Sequence, residues 1–88
     1  MKHKFIKWVI EINPSDIEIT SAITVLNTRS NEFESFVVGM ITMLEAKGYL
    51  LNEDGCYDSD VPGSISKYYE FIKFTDNLET KLAVEIRV

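Results

Sequence analysis

The chain is poor in the residues that build reactive centres: it has one histidine, His3, and one cysteine, Cys56, among 88 positions. A lone cysteine excludes an internal disulfide, and a small domain without such a bridge suits a reducing compartment, so a cytoplasmic protein is expected. Gly39, Gly48, Gly55 and Gly63 are scattered and fall in no phosphate-cradling pattern, and no Cys and His spacing fits zinc. No apolar run approaches the ~20 residues that a membrane-spanning helix needs, and the opening residues carry no small-residue cleavage site. No membrane partner is expected. Basic residues are also in short supply. The formal charge of −5 argues against a protein that holds long nucleic acid by neutralising many phosphates.

These shortages bear on catalysis. Acid-base or nucleophilic work usually needs a histidine, a reactive cysteine or a carboxylate pair in a cleft. His3 lies beside Lys2 and Lys4 near a terminus, where a solvated role is expected. Cys56 sits among Glu53, Asp54, Asp58 and Asp60, whose negative charge disfavours a thiolate. Asp58-Ser59-Asp60 followed by Gly63 looks like the opening of a calcium loop. However, Pro62 takes the third ligand position, and the place of the closing glutamate falls on Tyr69. The expectation is therefore a non-enzyme with no catalytic residue, no metal and no cofactor.

What is present is an ordinary globular composition, 45% hydrophobic and 26% charged, spread along the whole chain. Residues 1–88 suffice for a single domain with one core. Basic residues lie mostly in the end segments, with Lys2, Lys4 and Lys7 at the start and Lys67, Lys73, Lys81 and Arg87 at the finish. The acid of Glu53, Asp54, Asp58 and Asp60 lies between them.

His3 to Ile12 alternates with period two, placing Ile6, Trp8, Ile10 and Ile12 on one face of a strand and Phe5, Lys7, Val9 and Glu11 on the other. Asn13-Pro14-Ser15-Asp16 reads as a helix start. Asn13 is the cap, Pro14 takes the first position, Asp16 completes a capping box and Ile12 staples to Ile17. A helix is expected from about Pro14 to Asn27, burying Ile19, Ala22, Ile23 and Leu26, although its β-branched residues also fit a strand. A second helix is expected after a Ser30 or Asn31 cap. Glu32 and Glu34 lie in its first turn, Lys47 in its last, and Gly48 stops it; Phe33, Phe36, Val37, Met40, Ile41 and Leu44 face the core. Tyr49 to Leu51 reads as a short strand, and Asn52 to Ser64 as an exposed loop. Lys67 to Thr75 and Thr80 to Val88 read as a hairpin turning at Asp76-Asn77, with Leu82, Val84, Ile86 and Val88 inward. The sum is an α+β single domain in the order β-α-α-β-β-β, with two helices packed on one face of a mainly antiparallel sheet.

With those faces, Lys7, Lys81 and Arg87 point outward. Lys67, Tyr69, Phe71 and Lys73 share one face of the neighbouring strand, opposite Tyr68, Ile72 and Phe74. Placing Lys7, Lys67, Tyr69, Phe71, Lys73, Lys81 and Arg87 on the uncovered face assembles cations and aromatics that suit a small anionic nucleotide: rings to stack a base, charges to meet a phosphate. The same residues also fit plain solvated strand positions or packing against a second copy of the chain. This face assignment puts Glu70 inward.

The acidic 88-residue chain, with its MKHKFIKWVIEI opening, its Lys/Ile/Asn/Glu-rich vocabulary and its lack of a catalytic motif, resembles the small early proteins of T-even-type phages. Among these are anti-CBASS sponges. The resemblance implies a non-enzymatic binder that sequesters a cyclic dinucleotide to counter host antiphage defence, as a homodimer or higher homo-oligomer. The competing expectation is an inhibitor of a host protein, anti-CRISPR-like or antitoxin-like, whose acidic segment Glu53 to Asp60 imitates nucleic-acid phosphates.

Overall fold

The computed structural model describes residues 8–61 and 64–87. His3, Lys7, Pro62, Gly63 and Val88, all used in the sequence reading, lie outside them. Strand β1 spans Val9–Asn13 and leads into helix α1, Ile17–Arg29. Asp16 rather than Asn13 caps this helix: its backbone is extended and its carboxylate accepts the Ile19 N–H at 3.0 Å. Asn13 is already held in the sheet as the partner of Ala83, so it does not serve as the cap and the helix begins later than expected. The staple from Ile12 is likewise absent, because Ile17 is 84% exposed while Ile12 packs on the core.

The β-branched residues of α1 do not turn it into a strand. Ile19 and Ile23 are fully buried, and Thr24 and Thr28 donate their hydroxyls to the carbonyls four residues back at 2.8 and 3.0 Å. Ser30 closes α1 instead of opening the next helix, with its N–H and its hydroxyl both directed at the Leu26 carbonyl, at 3.0 and 2.7 Å. Helix α2, Phe33–Ala46, starts at Glu32 without a side-chain cap and buries Phe36, Met40 and Leu44. Gly48 follows at φ +95°, where a side chain would be strained.

Strands β2 (Leu50–Leu51), β3 (Tyr57–Val61), β4 (Ser64–Thr75) and β5 (Leu78–Arg87) complete an antiparallel sheet ordered β1-β5-β4-β2, with β3 also on β4. The expected architecture is present, with one more strand than the sequence suggests. Residues 52–61 of the expected loop are not open: Glu53–Gly55 forms a single 3₁₀ turn and β3 pairs along β4. Asp and Ser disfavour strands, but the cross-strand pairs compensate. Tyr57 stacks on Tyr68 at 4.4 Å, and the Lys67 ammonium donates to Asp58 at 3.2 Å. The β4–β5 hairpin turns at Asp76 and Asn77, both at positive φ, the geometry of a two-residue type I′ turn.

Both helices pack on one face of the sheet, against Phe71, Leu82, Val84 and Ile86. Trp8 joins this core half-buried, stacked on Phe36 at 5.2 Å and edge-on to Phe33 at 5.3 Å, and its carbonyl accepts the Asn27 side-chain amide at 3.0 Å. Residues 74–81 are all exposed, so the far end of the hairpin runs beyond the helices. No helix among the described residues is long and apolar enough to cross a membrane.

Phe71→Ala is expected to cost about 3 to 5 kcal/mol, since the ring is enclosed on all sides; Trp8→Ala should cost less, about 2 to 3 kcal/mol, because part of the indole stays in water. Urea unfolding of the two variants at constant m-value checks the order.

Candidate functional site

Side chains directly opposite one another in a sheet share a face, so the ladder fixes which residues meet. Tyr69 pairs with Val84 and Phe71 with Leu82, and both partners are core residues. Lys67, Tyr69, Phe71 and Lys73 therefore lie on the helix-covered face, not the uncovered one. Phe71 is fully buried, and Tyr69 is half-buried against the core, where burial, with help from the charge of Asp58, pushes its phenol pKa up. Lys67 is paired with Asp58, and Lys73 lies over the Tyr49 ring at 5.2 Å. Lys81 and Arg87 do face outward, opposite Ile72 and Val9, while Lys7 lies outside the described residues. The expected cluster is thus divided between the two faces. The cause is a shift of one residue in the facing of β4, which reverses every side chain on it.

Glu70 marks the correct facing. It points outward, where its carboxylate accepts the Asn52 amide at 2.6 Å while its carbonyl accepts the Asn52 N–H at 2.8 Å. Gly55 packs directly on this side chain: a Cβ there would approach the Glu70 Cβ to 2.9 Å and run into its carboxylate. The 3₁₀ turn is thereby fastened to β4 and sets where β3 begins.

The uncovered face carries a row that crosses four strands. Tyr57 pairs with Tyr68, Tyr68 with Glu85, and Glu85 with Glu11. The Tyr68 hydroxyl donates to Glu85 at 3.0 Å, and Arg87 reaches Glu85 at 3.4 Å and Glu11 at 3.6 Å. In the next row Asn13 faces Ala83. The short Ala83 side chain leaves a floor between taller walls, and a cleft of about 480 Å³ opens there, lined by Glu11, Asn13, Tyr57, Tyr68, Ala83 and Glu85. Desolvation pulls the Glu85 carboxyl pKa up, but hydrogen bonds from Tyr68 and Ser66 and the charge of Arg87 outweigh it and hold the pKa below the usual glutamate range. The Tyr68 phenol is raised, chiefly by its hydrogen bond to Glu85, with burial and the Glu85 charge adding to it.

Glu11 and Glu85 are outward by the same alternation that puts Ile10, Ile12, Val84 and Ile86 inward, so this half of the row was available from the sequence. Tyr68 needed the charge of Glu70 to choose its face. Tyr57 had no local signal, because it stands next to Asp58-Ser59-Asp60. Among the described residues, no group of three or more His, Cys, Asp and Glu side chains is placed to hold a metal ion.

The Tyr68–Glu85 contact should show in pH-dependent stability. A carboxyl held below its unfolded value near 4.5 stabilises the fold above that pH, and the contribution is lost as pH falls through the folded value. A phenol raised above 10.0 contributes below that pH, and the contribution is lost as pH rises through its folded value. Tm measured from pH 3 to 11 should therefore fall less steeply at both ends for Tyr68→Phe than for wild type; parallel curves would show that the bond carries no linkage.

Compared with known protein families, with curated proteins and with solved structures, the chain matches none, so what it does has to be read from its own side chains.

Proposed function

We propose that the chain is a non-catalytic cytoplasmic binding protein that engages a protein partner through the uncovered face of its sheet. One observation carries this reading. A sheet with helices on one side usually alternates apolar inside and polar outside, yet this one presents large apolar groups to water as well. Leu50, Tyr57 and Phe74 are 58, 59 and 67% exposed on that face, and Ile72 lies between Leu50 and Lys81 in the ladder. Leu50, Ile72 and Phe74 form an apolar patch toward the hairpin end beside Lys81, and Tyr57 and Tyr68 form a second one beyond Glu70, so large apolar groups and charges share this face as they do in a protein interface.

The nucleic-acid-mimic form of this idea draws less support than the sheet face does. Asp58 is already paired with Lys67, and Asp58 and Asp60 alternate away from Tyr57 to the opposite face of β3. A second reading keeps part of the nucleotide proposal. Lys73 and Lys47 flank Tyr49 around a cleft of about 290 Å³ beside the start of α1, a combination of ring and cations that suits a phosphorylated base. Asp16 and Glu18 line the same cleft and offset those charges.

Two measurements separate the readings. In cross-linking capture from cells of the source organism, Leu50→Ser/Phe74→Ser should lose a partner that wild type and Val25→Ser both retain. Capture that ignores the sheet-face substitutions would refute the proposal. In calorimetry with cyclic dinucleotides, micromolar binding that a Lys47→Ala/Lys73→Ala variant loses would establish the nucleotide reading in its place.

A further inference from the structure

The cleft on the uncovered face has a chemistry of its own. We infer that it receives an arginine side chain presented by the partner protein. This rests on the reading of that face as a protein-binding surface, and it names the group recognised.

Three features favour a guanidinium. The walls are two carboxylates and a stacked tyrosine pair, and a planar cation satisfies both: it lies flat on an aromatic ring while its N–H groups bond carboxylate oxygens. The local charge is unbalanced, since Glu11 and Glu85 share a single Arg87, leaving one negative charge that an incoming cation neutralises. Hydrogen bonds from Tyr68 and Ser66 and the charge of Arg87 hold Glu85 ionised, so the acceptor is preorganised. Lys81 is the other cation on the outward face of β5. It lies four residues from Glu85 along the strand, about 14 Å away, too far to fill the cleft from within the chain. A phosphate would meet Glu11 and Glu85 and be repelled, which separates this cleft from any nucleotide site.

The arginine is assigned to a different protein and not to a second copy. The chain has two arginines, Arg29 and Arg87. Arg87 is already committed to Glu11 and Glu85 of its own chain, and Arg29 ends α1 on the helical layer, away from the uncovered face.

The test titrates the whole chain with N-acetyl-arginine amide and follows backbone amide resonances. Saturable shifts in the millimolar range, centred on Glu11, Tyr57, Tyr68, Ala83 and Glu85, are expected. N-acetyl-citrulline amide has nearly the same shape without the charge and should bind at least tenfold more weakly. Glu11→Gln and Tyr57→Ala should each weaken the arginine probe by threefold or more, while Glu79→Gln, beyond the cleft on the same face, should leave it unchanged. Equal binding of the two probes, shifts centred elsewhere, or no shift would overturn the inference. Spermidine that binds more tightly than the arginine probe would assign the cleft to a free polyamine and overturn it too. So would a dimer in sedimentation that Glu11→Gln dissolves, because the occupant would then be a second copy. If the arginine probe fails while Leu50→Ser/Phe74→Ser still abolishes partner capture, the cleft inference falls and the sheet-face reading stands; if the probe binds but capture ignores those substitutions, the sheet-face reading falls and the cleft remains.

Discussion

The pairing of Phe71 with Leu82 and of Tyr69 with Val84 is the contact from which the rest of the surface follows. Because side chains alternate strictly along a strand, these two pairs determine where every other residue of β4 points. They send Lys67 and Lys73 toward the helices, and Tyr68, Glu70, Ile72 and Phe74 away from them. The alternative facing would place Glu70 beneath the helices and lift Phe71 into water. A carboxylate without a partner in an apolar core costs several kcal/mol, and exposing a large aromatic adds more, so the choice is decided by a wide margin. Two further features hold the same register: the type I′ turn at Asp76-Asn77, and the Asn52–Glu70 pair with Gly55 seated against it.

Much of the architecture is legible in the sequence, because its signals are redundant. In α2 the helical spacing of Phe36, Met40 and Leu44, the acid of its first turn and Gly48 at its end all agree. In β5 the run Leu82, Val84, Ile86 leaves one apolar face. Two segments escaped for opposite reasons. Strand β3 has a composition that reads as loop, and it is a strand because β4 offers Tyr68 and Lys67 at the matching positions, information that no window over residues 57–61 contains. Strand β4 is ambiguous by excess, since both its faces carry aromatics. Period-two analysis then supplies two answers and only the burial of charge chooses between them. The candidate site inherits that ambiguity: the facing of Lys81 and Arg87 on the well-marked β5 is legible in the sequence, whereas that of Lys67, Tyr69, Phe71 and Lys73 on β4 is not.

The sheet edges also have to avoid unwanted association. Strands β1 and β3 each have one side with no partner strand among the described residues, and unpaired edges invite pairing between chains. The edges carry Glu11 on β1 and Asp58 and Asp60 on β3, so like charges oppose edge-to-edge contact between copies, and a net charge of −5 extends that repulsion to the whole molecule. The acid that suggested a metal loop or a phosphate mimic therefore has an adequate structural use at the edge.

These arrangements give the two sides of the sheet different surroundings. The helix-facing side of the sheet carries the packed core, and its two lysines are already engaged, Lys67 with Asp58 and Lys73 with the Tyr49 ring. On the other side the Tyr57–Tyr68–Glu85–Glu11 row is linked within itself yet remains open to solvent above Ala83. The Arg87 contacts with Glu11 and Glu85 are partly exposed and long, so they stabilise the fold little and are retained at small structural benefit. A row of weakly stabilising, mutually oriented charges beside a stacked aromatic pair is a poor use of strand positions if folding is the sole requirement, since alternating Thr and Lys would serve the sheet as well. Its geometry has a use when another charged group arrives to complete it, which supports the proposal that this face, and not the helical layer, is the one that binds.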